Sequence, residues 1–117
     1  MYHDPKSSAI ATRELLDLPE RPTCILYPDD FSFIGGMNEI ERHGLSIPDD
    51  ISVVGYDGIL LSQVLRPRLT TFRQEAEIMG TKAAKKLVEA IENPKLYIAQ
   101  QVMVPGQLLE GGTVKQI

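Results

Sequence analysis

Few positions in this sequence carry groups suited to chemistry, and they cluster behind short apolar runs. Asp29 and Asp30 follow Pro28 at the end of one run, Asp57 and Gly58 close a second, and Gln74 comes just after a third. A carboxylate accepts hydrogen bonds and a Gln amide both donates and accepts. Such a set suits a neutral polyhydroxyl ligand, whose hydroxyls each want both roles. For Asp29 and Asp30 the competing reading is helix capping, because a short carboxylate at a helix N-terminus satisfies free backbone N–H groups. For Asp57, turn geometry and ligand binding both stand. Asp49 and Asp50, behind Pro48, read as turn and solvation chemistry. His3 and His43 have no companions at metal-ligand spacing, so no metal site is expected. Cys24 lies within an apolar run, where an inert core thiol is expected.

Catalytic signatures are missing. No serine sits in a Gly-x-Ser-x-Gly elbow, there is no His-Glu-x-x-His, and Gly80-Thr81-Lys82 lacks the glycine and spacing of a phosphate loop. The expectation is a binding module, with no cofactor and no enzymatic activity. At 117 residues the chain has room for one domain of ordinary size. Its net charge of −4 argues against a nucleic-acid surface, which needs concentrated positive charge to displace counterions from phosphates. The uncharged stretch from Leu96 to Leu109 is broken by Gln100, Gln101, Pro105 and Gly106, so no membrane span is expected. Met1-Tyr2-His3-Asp4-Pro5-Lys6 does not read as a secretory signal, and a lone cysteine fits a reducing cytoplasm.

The elements that must hold these groups follow from periodicity. Ser7 or Ser8 caps a first helix over 9–18, with Ala11, Leu15 and Leu18 on one face before Pro19. Residues 22–27 form a short strand. A helix over 31–43 points Phe33, Met37 and Ile40 to one side and stops at Gly44. Residues 51–56 are apolar or small at nearly every position, the pattern of a strand covered on both sheet faces. Strand, helix and strand make a βαβ unit, so a parallel sheet is expected. Next come two helical turns over 59–65, a brief strand over 69–72 and a long helix over 75–92. The last carries a wide apolar stripe of Met79, Ala83, Leu87 and Ile91. Residues 98–104 are a last strand candidate, and Gly111-Gly112 opens a polar tail expected to fray. Gly35-Gly36 and Gly80 read as sites of close packing.

Arg21-Pro22-Thr23 before a strand, then Ile47-Pro48-Asp49-Asp50-Ile51-Ser52-Val53-Val54-Gly55-Tyr56-Asp57, then Leu69-Thr70-Thr71-Phe72-Arg73-Gln74 and the helix with Met79-Gly80, keep a known order. Over residues 21–113 the chain resembles the effector-binding domain of LacI/GalR-type transcriptional repressors. The resemblance implies an α/β three-layer sandwich with a mainly parallel sheet, one subdomain of a periplasmic-binding-protein-like fold. Residues 1–73 and about 105–117 would belong to the second subdomain and about 74–104 to a crossover arm of the first, with the DNA-binding domain absent from this chain.

By the same resemblance Asp57 bonds effector hydroxyls, Gln74 faces the cleft, and Pro28 stands where the family has a polar Asn, so contacts there would be apolar. The effector would be a sugar or a purine-like molecule. Gly58, Arg68 and Glu110 depart from a common Asp, Pro and nearby Arg. The family dimerises through its second subdomain. Phe33, Met37 and Ile40, with Leu61 and Leu65 of the 60–65 segment, would help build a two-fold interface, ordinary core packing being the alternative for each. Operator DNA would be bound only through the missing N-terminal part. A periplasmic sugar-binding transport protein shares the fold and is the alternative function. The apolar stripe of the long helix needs cover, so a homo-oligomer is expected.

Overall fold

The computed structural model describes residues 4–116, so expectations placed on Met1, Tyr2 and His3 lie outside the described residues. Helix α1 (Pro5–Leu16) precedes strand β1 (Cys24–Leu26) and helix α2 (Asp30–Arg42). Then come β2 (Ser52–Asp57), α3 (Leu60–Val64), β3 (Thr70–Arg73), α4 (Ala76–Glu92) and β4 (Gln107–Leu109). The sheet order is β1-β2-β3-β4, with β1, β2 and β3 mutually parallel, so the class is α/β with a mainly parallel sheet, as expected. Two compact units divide the chain: Met1–Arg73 with Leu108–Ile117, and Gln74–Gln107.

In the first unit α1 starts earlier than expected. Asp4, not Ser7 or Ser8, is its cap, accepting from the backbone N–H groups of Lys6 (2.9 Å) and Ser7 (3.1 Å), with Pro5 set in the first turn, where no N–H is missed. The buried face is Ser8, Thr12 and Leu16. Leu15 and Leu18, expected to face inward, are exposed. Small and hydroxyl side chains win this face because α2 comes very close: a Cβ on Gly35 would collide with the Pro5 backbone, and one on Gly36 with the Tyr27 ring. The Tyr27 hydroxyl is paired with Thr12 Oγ1 at 2.9 Å, and its ring meets Phe33 edge-on at 5.6 Å.

Phe33 and Ile40 are 1% and 0% exposed and join Leu16, Ile25, Ile51, Val53 and Leu69 in the core. Each such side chain contributes roughly 1.5 to 3 kcal/mol by leaving water. They therefore offer no surface to a partner, and the core alternative holds for both. Met37 and Leu65 pack against this core partly buried, while Leu61 is exposed. Cys24 is a further correction, for its thiol is exposed. β1 is an edge strand, and strand alternation turns Ile25 inward and Cys24 and Leu26 outward.

The tail does not fray. Thr113 is fully buried between the amino-terminal ends of β2 and β3. Its Oγ1 donates to the Val53 carbonyl (2.8 Å) and accepts from Thr70 N–H (2.9 Å), while its own carbonyl accepts from Val53 N–H (2.8 Å). Gly112 N–H donates to the Arg68 carbonyl at 2.7 Å, and the Arg68 guanidinium donates to the Glu110 carbonyl at 2.9 Å. Arg68 and Glu110 thus meet each other through the Glu110 backbone.

In the second unit α4 has no buried residue: Leu87 and Ile91 are 62% and 69% exposed. Gly80 has open space where a Cβ would stand, so close packing does not explain it. Residues 98–104 form no strand. That run has β propensity but no neighbouring strand in its unit to complete a ladder, and β4 forms later instead.

Charge ties α1 to α2. The Glu39 carboxylate, 3% exposed, accepts from Arg13 Nε (2.8 Å) and Nη2 (3.3 Å), with Arg42 at 3.5 Å. The Arg13 hydrogen bond, opposed by burial, holds the Glu39 carboxyl below its ordinary value. His43 Nδ1 donates to the Glu39 carbonyl at 2.9 Å, and Nε2 lies 3.4 Å from Asp17 Oδ1. The backbone carbonyl first, then Asp17, raise the His43 pKa. A lowered carboxyl stabilises the fold above its unfolded value of 4.5 and loses that contribution as pH falls through the folded value. A raised imidazole stabilises below its unfolded value of 6.5 and loses that contribution as pH rises through the folded value. Both contributions are therefore present between 4.5 and 6.5. Urea denaturation across pH is expected to show stability declining on the alkaline side of this window in the wild type, and a flatter alkaline limb in His43→Gln.

Candidate functional site

Parallel strands end together, so the loops that leave them share one edge of the sheet. In register, Leu26 of β1 stands beside Val54 of β2, and Asp57 of β2 beside Arg73 of β3. Tyr27 N–H still donates to the Val54 carbonyl at 2.8 Å, and Pro28 comes immediately after, exposed. Pro28 and Asp57 therefore finish neighbouring strands on the same side. Gln74 comes directly after Arg73 and is the first residue of the second unit.

Asp29 is the cap of α2. Its Oδ1 accepts from Ser32 N–H at 2.7 Å and its Oδ2 from Ser32 Oγ at 2.9 Å. Asp30 is not a second cap. Although it opens α2, its carboxylate is 1% exposed and reaches across the unit. Oδ1 accepts from the Thr71 hydroxyl of β3 at 2.5 Å, and Oδ2 from the backbone N–H of Ile59 at 2.9 Å. Sequence reasoning missed this role. Its signal was Gly55, inside a strand, where glycine marks a close approach: a Cβ there would collide with Asp30 Oδ1.

Asp57 lies in left-handed territory with φ 103°, and Gly58 comes next with φ 70°. Gly58 is required twice over, since a Cβ at that position would also strike the Arg73 side chain. A side chain at this position would force Arg73 to shift. An L-residue at positive φ costs energy and is kept where the surroundings fix it, often at a ligand site. Among the described residues no group of three or more His, Cys, Asp and Glu side chains could hold a metal ion, and no helix is long and apolar enough to cross a membrane.

The family model for the periplasmic binding protein-like domain matches residues 2–114. The chain belongs to that family. Within it, the chain is 41% identical over 115 residues to the probable transcriptional repressor ExuR of Bacillus subtilis, a match covering 98% of this chain and 34% of that protein. A putative LacI transcriptional regulator from Bacillus cereus subsp. cytotoxis superposes with TM-score 0.92 at 31% identity, over 97% of this chain and 40% of that one. An Enterococcus faecium LacI-family regulator with bound ribose gives 0.85 at 28% identity, over 95% and 40%. The lac repressor dimer bound to operator and the anti-inducer ONPF gives 0.83 at 29%, over 95% and 38%. The chain spans about a third of the length of the curated relative it matches, and it matches part of the effector-binding domain of LacI-family regulators.

The φ of Asp57 yields a prediction. Asn tolerates positive φ and Val does not, so Asp57→Val should be less stable than Asp57→Asn by roughly 1 to 3 kcal/mol. Urea denaturation of the two variants checks this, and equal midpoints would contradict the backbone assignment.

Proposed function

We propose that this chain is the ligand-sensing part of a LacI/GalR-type transcriptional repressor and holds a small sugar-like effector at the carboxyl edge of its sheet. The observation that carries this reading is that Pro28, two residues past the end of β1, and Asp57, the last residue of β2, follow neighbouring parallel strands on the same edge of the sheet, in a chain that belongs to the periplasmic binding protein-like family. Asp57 accepts hydrogen bonds from effector hydroxyls, and the Pro28 ring presents an apolar contact. No catalytic step is assigned. Ribose bound to the Enterococcus regulator supports a sugar, and a purine-like effector is the second class. Repression is favoured over periplasmic transport because ExuR is named a repressor and the superposed structures are transcriptional regulators.

In the longer protein the effector would bias the orientation of two subdomains, and through it DNA-binding heads outside this chain, by no more than its differential affinity for the two states. Such a protein acts in the cytoplasm. It would pair with a second copy, as the lac repressor does in its operator complex. On this chain Leu61, 42% exposed, with Leu60 at 82% and Val64 at 59%, provides apolar surface for that pairing, while Met37 and Leu65 pack partly buried against the core.

Titrating the chain with ribose and with cellobiose while monitoring the backbone amides should shift Asp57, with dissociation constants of roughly 1 mM or weaker because much of the cleft lies beyond these residues. Asp57→Ala should abolish the response. Micromolar binding, or an unchanged response in the variant, contradicts this assignment. Sedimentation equilibrium should show self-association, weakened in Leu61→Ser, and a monomer throughout the micromolar range removes the oligomer from the proposal.

A further inference from the structure

One buried group meets the chain on both sides of Asp57. Gly55, two residues before it, is kept without a side chain by Asp30 Oδ1, and Ile59, two residues after it, gives its backbone N–H to Asp30 Oδ2 at 2.9 Å. The same carboxylate is fixed in rotation by the Thr71 hydroxyl of β3 at 2.5 Å. Between Gly55 and Ile59 the chain passes through positive φ at Asp57 (103°) and again at Gly58 (70°).

Burying a carboxylate costs several kcal/mol unless hydrogen bonds satisfy it, and an apolar residue would fill this place more cheaply. A charged acceptor, however, binds a backbone N–H about twice as strongly as a neutral one and fixes its direction. From this geometry we infer that Asp30 is the positioning residue of the ligand site, holding the segment from Gly55 to Ile59 so that the Asp57 carboxylate stands at the sheet edge. The functional half of this inference rests on Asp57 being a ligand residue, and the geometric half does not. Thr71 and Ile59 are joined through Asp30, so a change at Thr71 must be felt at Ile59.

The test is residue-resolved amide hydrogen exchange on the 117-residue chain. In Asp30→Asn the amide nitrogen and its hydrogens must face either Thr71 or Ile59, and the Ile59 N–H loses its charged acceptor. Its exchange rate should rise at least about tenfold, the effect of one charge-assisted hydrogen bond. The Val53 amide, bonded to the Thr113 carbonyl at 2.8 Å, should keep its rate. Thr71→Val, which frees the carboxylate to rotate, should raise Ile59 exchange about threefold, and it decides the matter alone if Asp30→Asn does not fold. Equal acceleration at Ile59 and Val53 would make Asp30 a plain contributor to stability, and no change at Ile59 in either variant would disprove the tether. Either result overturns the inference. Ribose titration of the same samples separates the two halves. A wild type whose Asp57 amide ignores ribose counts against the sugar site, while the exchange comparison still decides the positioning. A wild type that responds should bind ribose several-fold more tightly than Asp30→Asn.

Discussion

The carboxylate of Asp30 lies under the ends of β2 and β3, and much of the first unit is arranged around it. To admit it, β2 gives up a side chain at Gly55. To satisfy it, β3 turns a Thr71 hydroxyl inward and the loop after Asp57 turns a backbone N–H toward it. A buried charge tolerates few arrangements, because any that leaves an oxygen unpaired is costly. α2, β2 and β3 are thereby locked in one register, and the edge where a ligand would be met inherits that precision.

The opposite end of the sheet is closed by different means. β2 and β3 pair from Val54 and Thr70 onward, and before that point Thr113 enters between them, with its hydroxyl and its carbonyl both engaged. One buried threonine replaces ladder bonds that the two strands cannot make with each other there. On the helical side, Thr12, Gly35 and Gly36 allow close approach, and Glu39 with Arg13 closes the gap between α1 and α2. Among the described residues no buried side-chain nitrogen or oxygen is left without a hydrogen-bond partner.

The second unit behaves differently. α4 carries Leu87, Val88 and Ile91 on its surface, all exposed, and no residue along it is buried. A helix of this kind gains little from tertiary burial and rests on backbone hydrogen bonds, good helix formers and surface pairs such as Lys86 with Glu89 at 2.8 Å. Its apolar stripe is the part of the molecule with most to gain from a covering surface.

The class and the strand ends were legible from residue order alone. Apolar runs closed by Pro28-Asp29 and by Asp57-Gly58, with a helix between them, allow little but a parallel βαβ unit, and parallel strands must end on one side. The family motif around residues 47–57 carried the resemblance for the same reason, since it contains both a strand and its turn. Which faces lie inside emerged only in three dimensions. Leu15, Leu18 and Cys24 look like core residues and are not, while Thr12, Asp30, Glu39 and Thr113 look like surface residues and are buried. Hydrophobicity counts what a side chain loses in water, whereas burial of a polar group depends on partners far away in sequence, as Thr113 and Val53 are. Residues 98–104 make the same point in reverse: a strand is a relation between two segments, and one segment's composition cannot supply its neighbour.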